Sequence, residues 1–73
     1  MMAQGTIHGI QIALGIGVIR PDDGADDLPF DRGALEAGAF EELREGQWVT
    51  YEAAPDPRDP ARRRAHTLRL LEE

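Results

Sequence analysis

Apolar and polar positions alternate with a period of two in several separated stretches, the pattern of strands that bury one face. Thr6–Gln11 mixes β-branched and polar residues, and Ile16–Arg20 does so again after a Gly-containing break, which predicts a first hairpin. Pro21-Asp22-Asp23-Gly24 is a turn sequence: proline presets φ for the second turn position and glycine accepts positive φ. Leu28–Asp31 reads as a short third strand, and Pro29, which cannot donate to a ladder, places it at an edge or a bulge. Between Gly33 and Gly46, helix-forming residues are cut by Gly38, predicting a long connection with one helical turn. Gln47–Ala53 alternates again as strand four, followed by a Pro-rich loop over 54–61. Arg62–Leu71 can be drawn as a strand or as a short helix, and periodicity does not decide between them. In strand two the alternation sends Ile16 and Val18 to one face and Gly17 and Ile19 to the other. Phe30 falls on an inward position, and Trp48 faces outward if Val49 and Tyr51 face inward.

Length then limits the picture to one domain with a modest core, residues 1–73, with 1–4 expected as a loose N-terminus. The absence of cysteine removes disulfides and thiolate zinc sites as reinforcement. Serine, lysine and asparagine are also missing, and arginine supplies all 8 basic side chains against 14 carboxylates, for a net charge of −6. The charge is uneven. Residues 58–73 hold five arginines and three carboxylates, whereas residues 1–57 are strongly acidic. An acidic body repels phosphate, because non-specific nucleic-acid affinity comes mostly from Lys and Arg; the same acidity also serves solubility. The most apolar stretch, Gly9–Ile19, is too short to span a bilayer, and no secretory leader is legible, so a cytoplasmic protein without a membrane partner is expected.

Taken in order, Gly5-Thr6-Ile7, Gly15-Ile16-Gly17-Val18-Ile19, Pro21-Asp22-Asp23-Gly24, Asp27-Leu28, Gly33-Ala34-Leu35 and Glu45-Gly46-Gln47-Trp48-Val49 resemble a cold-shock domain. The match runs without a gap from Gly5 to about Leu35, resumes through Phe40 and Leu43, and blurs after Tyr51. The resemblance implies an all-β fold, a five-stranded antiparallel Greek-key barrel of the OB type, and makes the last segment a strand. It also implies a surface on which unpaired bases of single-stranded RNA or DNA stack against aromatic rings.

Where the family typically carries Lys-Trp-Phe, this chain has His8-Gly9-Ile10; its two RNA-binding motifs read Leu14-Gly15-Ile16-Gly17-Val18-Ile19 and Leu28-Pro29-Phe30-Asp31-Arg32. The ligand-facing aromatics implied by the resemblance are thus replaced by Gly9, Ile10, Ile16, Val18, Pro29 and Arg32. Stacking on a ring contributes about 1–3 kcal/mol per base, so losing three or four such contacts removes on the order of 4–8 kcal/mol. Oligo-dT and oligo-U are accordingly expected not to bind at physiological salt, and a dissociation constant below ~10 μM would refute this. Ile10, Leu14, Ile16 and Val18 would form an apolar patch instead, which points first to a non-catalytic interaction or regulatory module with an unknown protein partner or as a homodimer. The alternative is a weak or specialised single-strand binder whose residual contacts fall on His8, Arg32, Arg62, Arg63, Arg64 and His66. Those arginines equally read as surface partners for the carboxylates.

Enzyme chemistry finds no support. Ser and Cys nucleophiles are absent, and so small a barrel offers no deep pocket. Asp22, Asp23, Asp26 and Asp27 lack the spacing and terminal Glu of a calcium loop, and two histidines without cysteine make no strong zinc site. Gly15-x-Gly17 lies in a strand and opens no helix, so it is no dinucleotide loop. No cofactor or metal is implied.

Overall fold

The computed structural model describes residues 2–36 and 38–71. Five strands, β1 (Ala3–Gln11), β2 (Ile16–Pro21), β3 (Leu28–Asp31), β4 (Trp48–Asp56) and β5 (Asp59–Leu70), form one antiparallel sheet in the order β3-β2-β1-β4-β5. The first three strands make a meander. The chain then crosses to the far side of β1, where β4 pairs with Ala3–Thr6. The ends of the sheet meet: Arg64 on β5 donates to the carboxylate of Asp31 on β3 at 2.6 Å, and Leu35 bridges Leu68 in parallel. Curling the sheet in this way closes it into the expected small barrel.

The core is assembled as the alternation requires. Ile7, Ile19, Phe30, Val49, Tyr51, Ala65 and Leu68 point inward from the strands, and Ala34, Phe40 and Leu43 come from the connection between β3 and β4. That connection holds two 3-10 turns, Arg32–Ala34 and Phe40–Glu42, where one helical turn was expected. Each turn is short enough to seat one large or small apolar side chain over the open barrel end, and the Phe30 and Phe40 rings meet there with centroids 6.0 Å apart. Close packing makes Gly17 obligatory. A Cβ at that position would lie 2.5 Å from the Phe30 ring and 2.9 Å from the Ile10 side chain.

Three expectations are corrected. Residues 54–61 are not a loop: β4 continues to Asp56 and β5 starts at Asp59, with the bend at Pro57-Arg58. Prolines are tolerated because this hairpin extends at the margin of the sheet, where a missing N–H breaks no interior ladder. Ala3 and Gln4, expected as a loose terminus, pair with Tyr51 and Thr50. Pro21 is the last, buried residue of β2 and the first residue of its turn, whose closing bond runs from the Gly24 N–H to the Pro21 carbonyl at 3.3 Å.

The strand register shifts at three places, of which that between Pro55 and Asp56 lies at the β4–β5 bend and two adjust the barrel. One falls between Ile7 and Gly9 on β1, the other between Thr50 and Glu52 across from His66–Arg69. Within the second, Thr67 takes φ +53°, a left-handed backbone that costs a β-branched residue about 1–3 kcal/mol. The resulting extra twist on β5 turns Leu68 inward, where its carbonyl accepts from the Glu36 N–H at 2.9 Å.

Candidate binding surface

Strands β1, β2 and β3 present their outer face to solvent, and a cleft of about 440 Å³ lies on it. Gly9, Ile10, Ile16, Val18 and Pro29 all line this cleft, so five of the six positions singled out from the sequence converge on one surface. Val18 pairs directly with Gly9 on one side and Pro29 on the other, which fixes all three on the same face. Ile16 is 44% exposed, while Gly17 and Ile19 are buried, as the alternation of β2 predicts.

Ile10 departs from that pattern. The bulge after Ile7 shifts the phase of β1, so that Ile10 pairs with Gly17 and is half-buried against the core. The fully outward apolar residues are instead Leu14, 68% exposed, with Ile16 and Ile12 beside it. Ile12–Leu14 form a 3-10 turn that ends on Gly15 in the left-handed region at φ +69°, where glycine pays no Cβ penalty.

Arg32 is the sixth position, and it is turned away from the cleft. Its guanidinium donates to Glu41 at 2.6 Å and to the Ile12 carbonyl at 2.9 Å, and it lies 4.9 Å from the Phe40 ring centre. It therefore staples the β1–β2 turn to the β3–β4 connection. The Arg32 guanidinium also holds the Glu41 carboxyl below the usual carboxylate range. Arg64 lines the cleft but is bound to Asp31, and that bond holds Asp31 below its ordinary value.

The other basic residues have separate partners. His8 accepts from Arg20 at 3.0 Å, Arg62 pairs with Asp59 at 3.5 Å, Arg63 reaches the Ala53 carbonyl at 3.4 Å, and His66 lies 3.8 Å from Glu52. No single patch collects His8, Arg32, Arg62, Arg63, Arg64 and His66. Alternation along one strand says nothing about which side chains of distant strands meet, and here Arg32, Arg62, Arg63 and Arg64 each find an acceptor within the protein.

Two features of the cleft were not legible in the sequence. Glu45, from the loop before β4, and Asp56, from the β4–β5 hairpin, stand at its rim. Both come from segments whose approach to β1–β3 depends on barrel closure. The charges on the cleft are thus three carboxylates (Asp31, Glu45, Asp56) against one arginine.

The chain matches no family model. Similar proteins are nevertheless clear: over 56 residues it is 39% identical to the probable cold shock protein y4cH of Sinorhizobium fredii, covering 77% of this chain and 81% of that protein. It is 40% identical over 55 residues to the cold shock protein CspA of Rhizobium meliloti, covering 75% of this chain and 80% of that one. The chain belongs to the cold-shock protein family. A third relative, the cold shock-like protein CspA of Stigmatella aurantiaca, is 35% identical over 57 residues, with 78% and 84% coverage. Within this cold-shock barrel, then, the outer face of β1–β3 bears an apolar cleft with three carboxylates; Phe30 is buried at its base, Phe40 and Tyr51 are buried away from it, and Trp48 is exposed on β4.

Proposed function

We propose that this chain is a non-catalytic, single-stranded nucleic-acid-binding cold-shock protein of low affinity. The reading rests on its family membership, and the observation that carries it is the open apolar cleft on β1–β3, where Gly9, Ile16, Val18 and Pro29 stand side by side. Unpaired bases have apolar faces that such a surface shields from water, though without the gain of ring-on-ring stacking. The sequence alone favours protein contact over nucleic acid; the similarity to cold shock proteins supports the reverse order. Because Arg32 and Arg64 are already ion-paired, few phosphates are neutralised, and binding is weak.

The test is fluorescence anisotropy of a labelled short oligo-dT across a salt series. The expected outcome is a dissociation constant of roughly 10–100 μM at low salt, weakening beyond ~100 μM at physiological salt. Absence of binding at low salt would overturn the reading.

Protein contact is the second reading, favoured by the exposure of Leu14 and Ile16 next to Ile12. An apolar interface holds or strengthens as salt rises, so the same series separates the two.

A further inference from the structure

Only one of the four aromatic side chains can receive a base. Phe30, Phe40 and Tyr51 are at most 4% exposed, whereas Trp48 is 45% exposed. Trp48 is the first residue of β4, and its neighbours Val49 and Tyr51 point into the core, so the indole stands on the outer face.

The pairing register fixes its surroundings. Thr6 of β1 lies opposite Trp48, and Arg20 of β2 lies opposite Thr6, which makes a continuous row across three strands on one face. One step along β4, Gln4, Thr50 and Arg69 form the next row on that face. With strands ~4.8 Å apart, Arg20 and Arg69 flank the indole on opposite sides at a distance that extended arginine side chains bridge. Arg20 also donates to His8 at 3.0 Å and lies 3.7 Å from Asp27, while Arg69 has no ion-pair partner among the described residues.

These six positions hold two arginines and no carboxylate; Asp27 offsets Arg20, which leaves Arg69 as the one of the two without an ion-pair partner among the described residues. The β1–β3 cleft, by contrast, carries Asp31, Glu45 and Asp56 against Arg64 alone. On a protein of net charge −6, that local reversal is what a polyanion with stackable bases requires: a ring for the base and cations for the adjoining phosphates.

The geometry points to a base-stacking site for single-stranded nucleic acid on the outer face of β2, β1 and β4, with Trp48 as the ring and Arg69 as the phosphate contact. This inference deepens the nucleic-acid reading and rests on it. The two surfaces share β1 and β2, so one strand of nucleic acid can lie across both.

Trp48 is the chain's single tryptophan, so its emission reports on the site directly. Titration of the full chain with oligo-dT at low salt is expected to quench that emission in parallel with the anisotropy of the labelled oligonucleotide. Trp48→Leu should weaken binding at least about fivefold and Trp48→Phe much less, because stacking needs a ring. Arg69→Gln should weaken binding and flatten the salt dependence by close to one phosphate contact. Both positions are exposed, and unchanged melting temperatures would exclude loss of fold. If Trp48→Leu binds as tightly as wild type while Ile16→Asp does not, the Trp48 site is overturned and the cleft reading stands. Absence of wild-type binding at low salt overturns both. An emission shift that depends on protein concentration and not on oligonucleotide would make Trp48 a contact between copies of this chain and would likewise overturn the site.

Discussion

Glycine 17 carries more of the barrel than its size suggests. It is paired with Phe30 on one side and Ile10 on the other, and both side chains occupy the volume its own Cβ would take. Adding one methyl there forces either the buried Phe30 ring or the β2 backbone to move, the overpacking situation in which about 1–3 kcal/mol is lost. Gly17→Ala is therefore expected to lower the melting temperature by several degrees, measured by circular dichroism. The control is Gly9→Ala: no atom beyond its chain neighbours lies within 4 Å of a Cβ there, and stability should hardly change. Equal effects of the two substitutions would contradict this packing. The sequence placed Gly17 and Phe30 on the inward side correctly, since both lie in unbroken runs of alternation. It did not place Ile10, because a bulge leaves no mark in an apolar-polar pattern.

Among the elements, the contact of β3 with β5 decides whether the sheet is a barrel or an open ribbon. It is held by Leu35 against Leu68 and by the ion pair of Asp31 and Arg64, whose side chains are 47% and 28% exposed. Solvent reaches the pair, so its contribution is on the order of 1 kcal/mol. The hydrogen bond from Arg64, followed by its charge, holds the folded Asp31 below its ordinary value against the opposing effect of burial. A group depressed on folding stabilises above its unfolded value, ~3.9 for aspartate, and loses that contribution as pH falls through the lower folded value. Asp31→Asn should accordingly cost about 4–8 °C in melting temperature at pH 7, and the deficit should shrink progressively as pH falls below the ordinary aspartate range and wild type loses the same interaction. A deficit independent of pH would assign the effect to packing. Four strands could be read in the sequence within a few residues of their bounds. The 54–61 segment was missed because proline content signals a loop unless the strand is known to lie at a margin.

At the scale of the molecule, a net charge of −6 sits on a surface that exposes Leu14, Ile16 and Ile12 at one end. Like-charge repulsion between copies opposes self-association at low salt, and screening relieves it. Size-exclusion chromatography with light scattering is expected to show a monomer at low salt and, if the protein-contact reading holds, a dimer as salt rises, with Ile16→Asp remaining monomeric. A monomer throughout would remove the homodimer version. The opposite salt responses of oligonucleotide binding and apolar contact make this comparison decisive for the function of the β1–β3 face.

From the sequence alone came the strand alternation, the barrel through its family resemblance, the inward placement of Phe30, and the convergence of Gly9, Ile16, Val18 and Pro29 on one face. The alternation and the inward Phe30 follow from local backbone geometry, in which successive side chains take opposite sides; the barrel and the shared face of Gly9, Ile16, Val18 and Pro29 are what the resemblance implies. Only the tertiary structure decided which charges meet: Arg64 with Asp31, Arg32 with Glu41, and Trp48 in a row with Thr6 and Arg20. Such pairings join residues from distant parts of the chain, and they are set by register across strands and by closure of the sheet, neither of which any local pattern encodes.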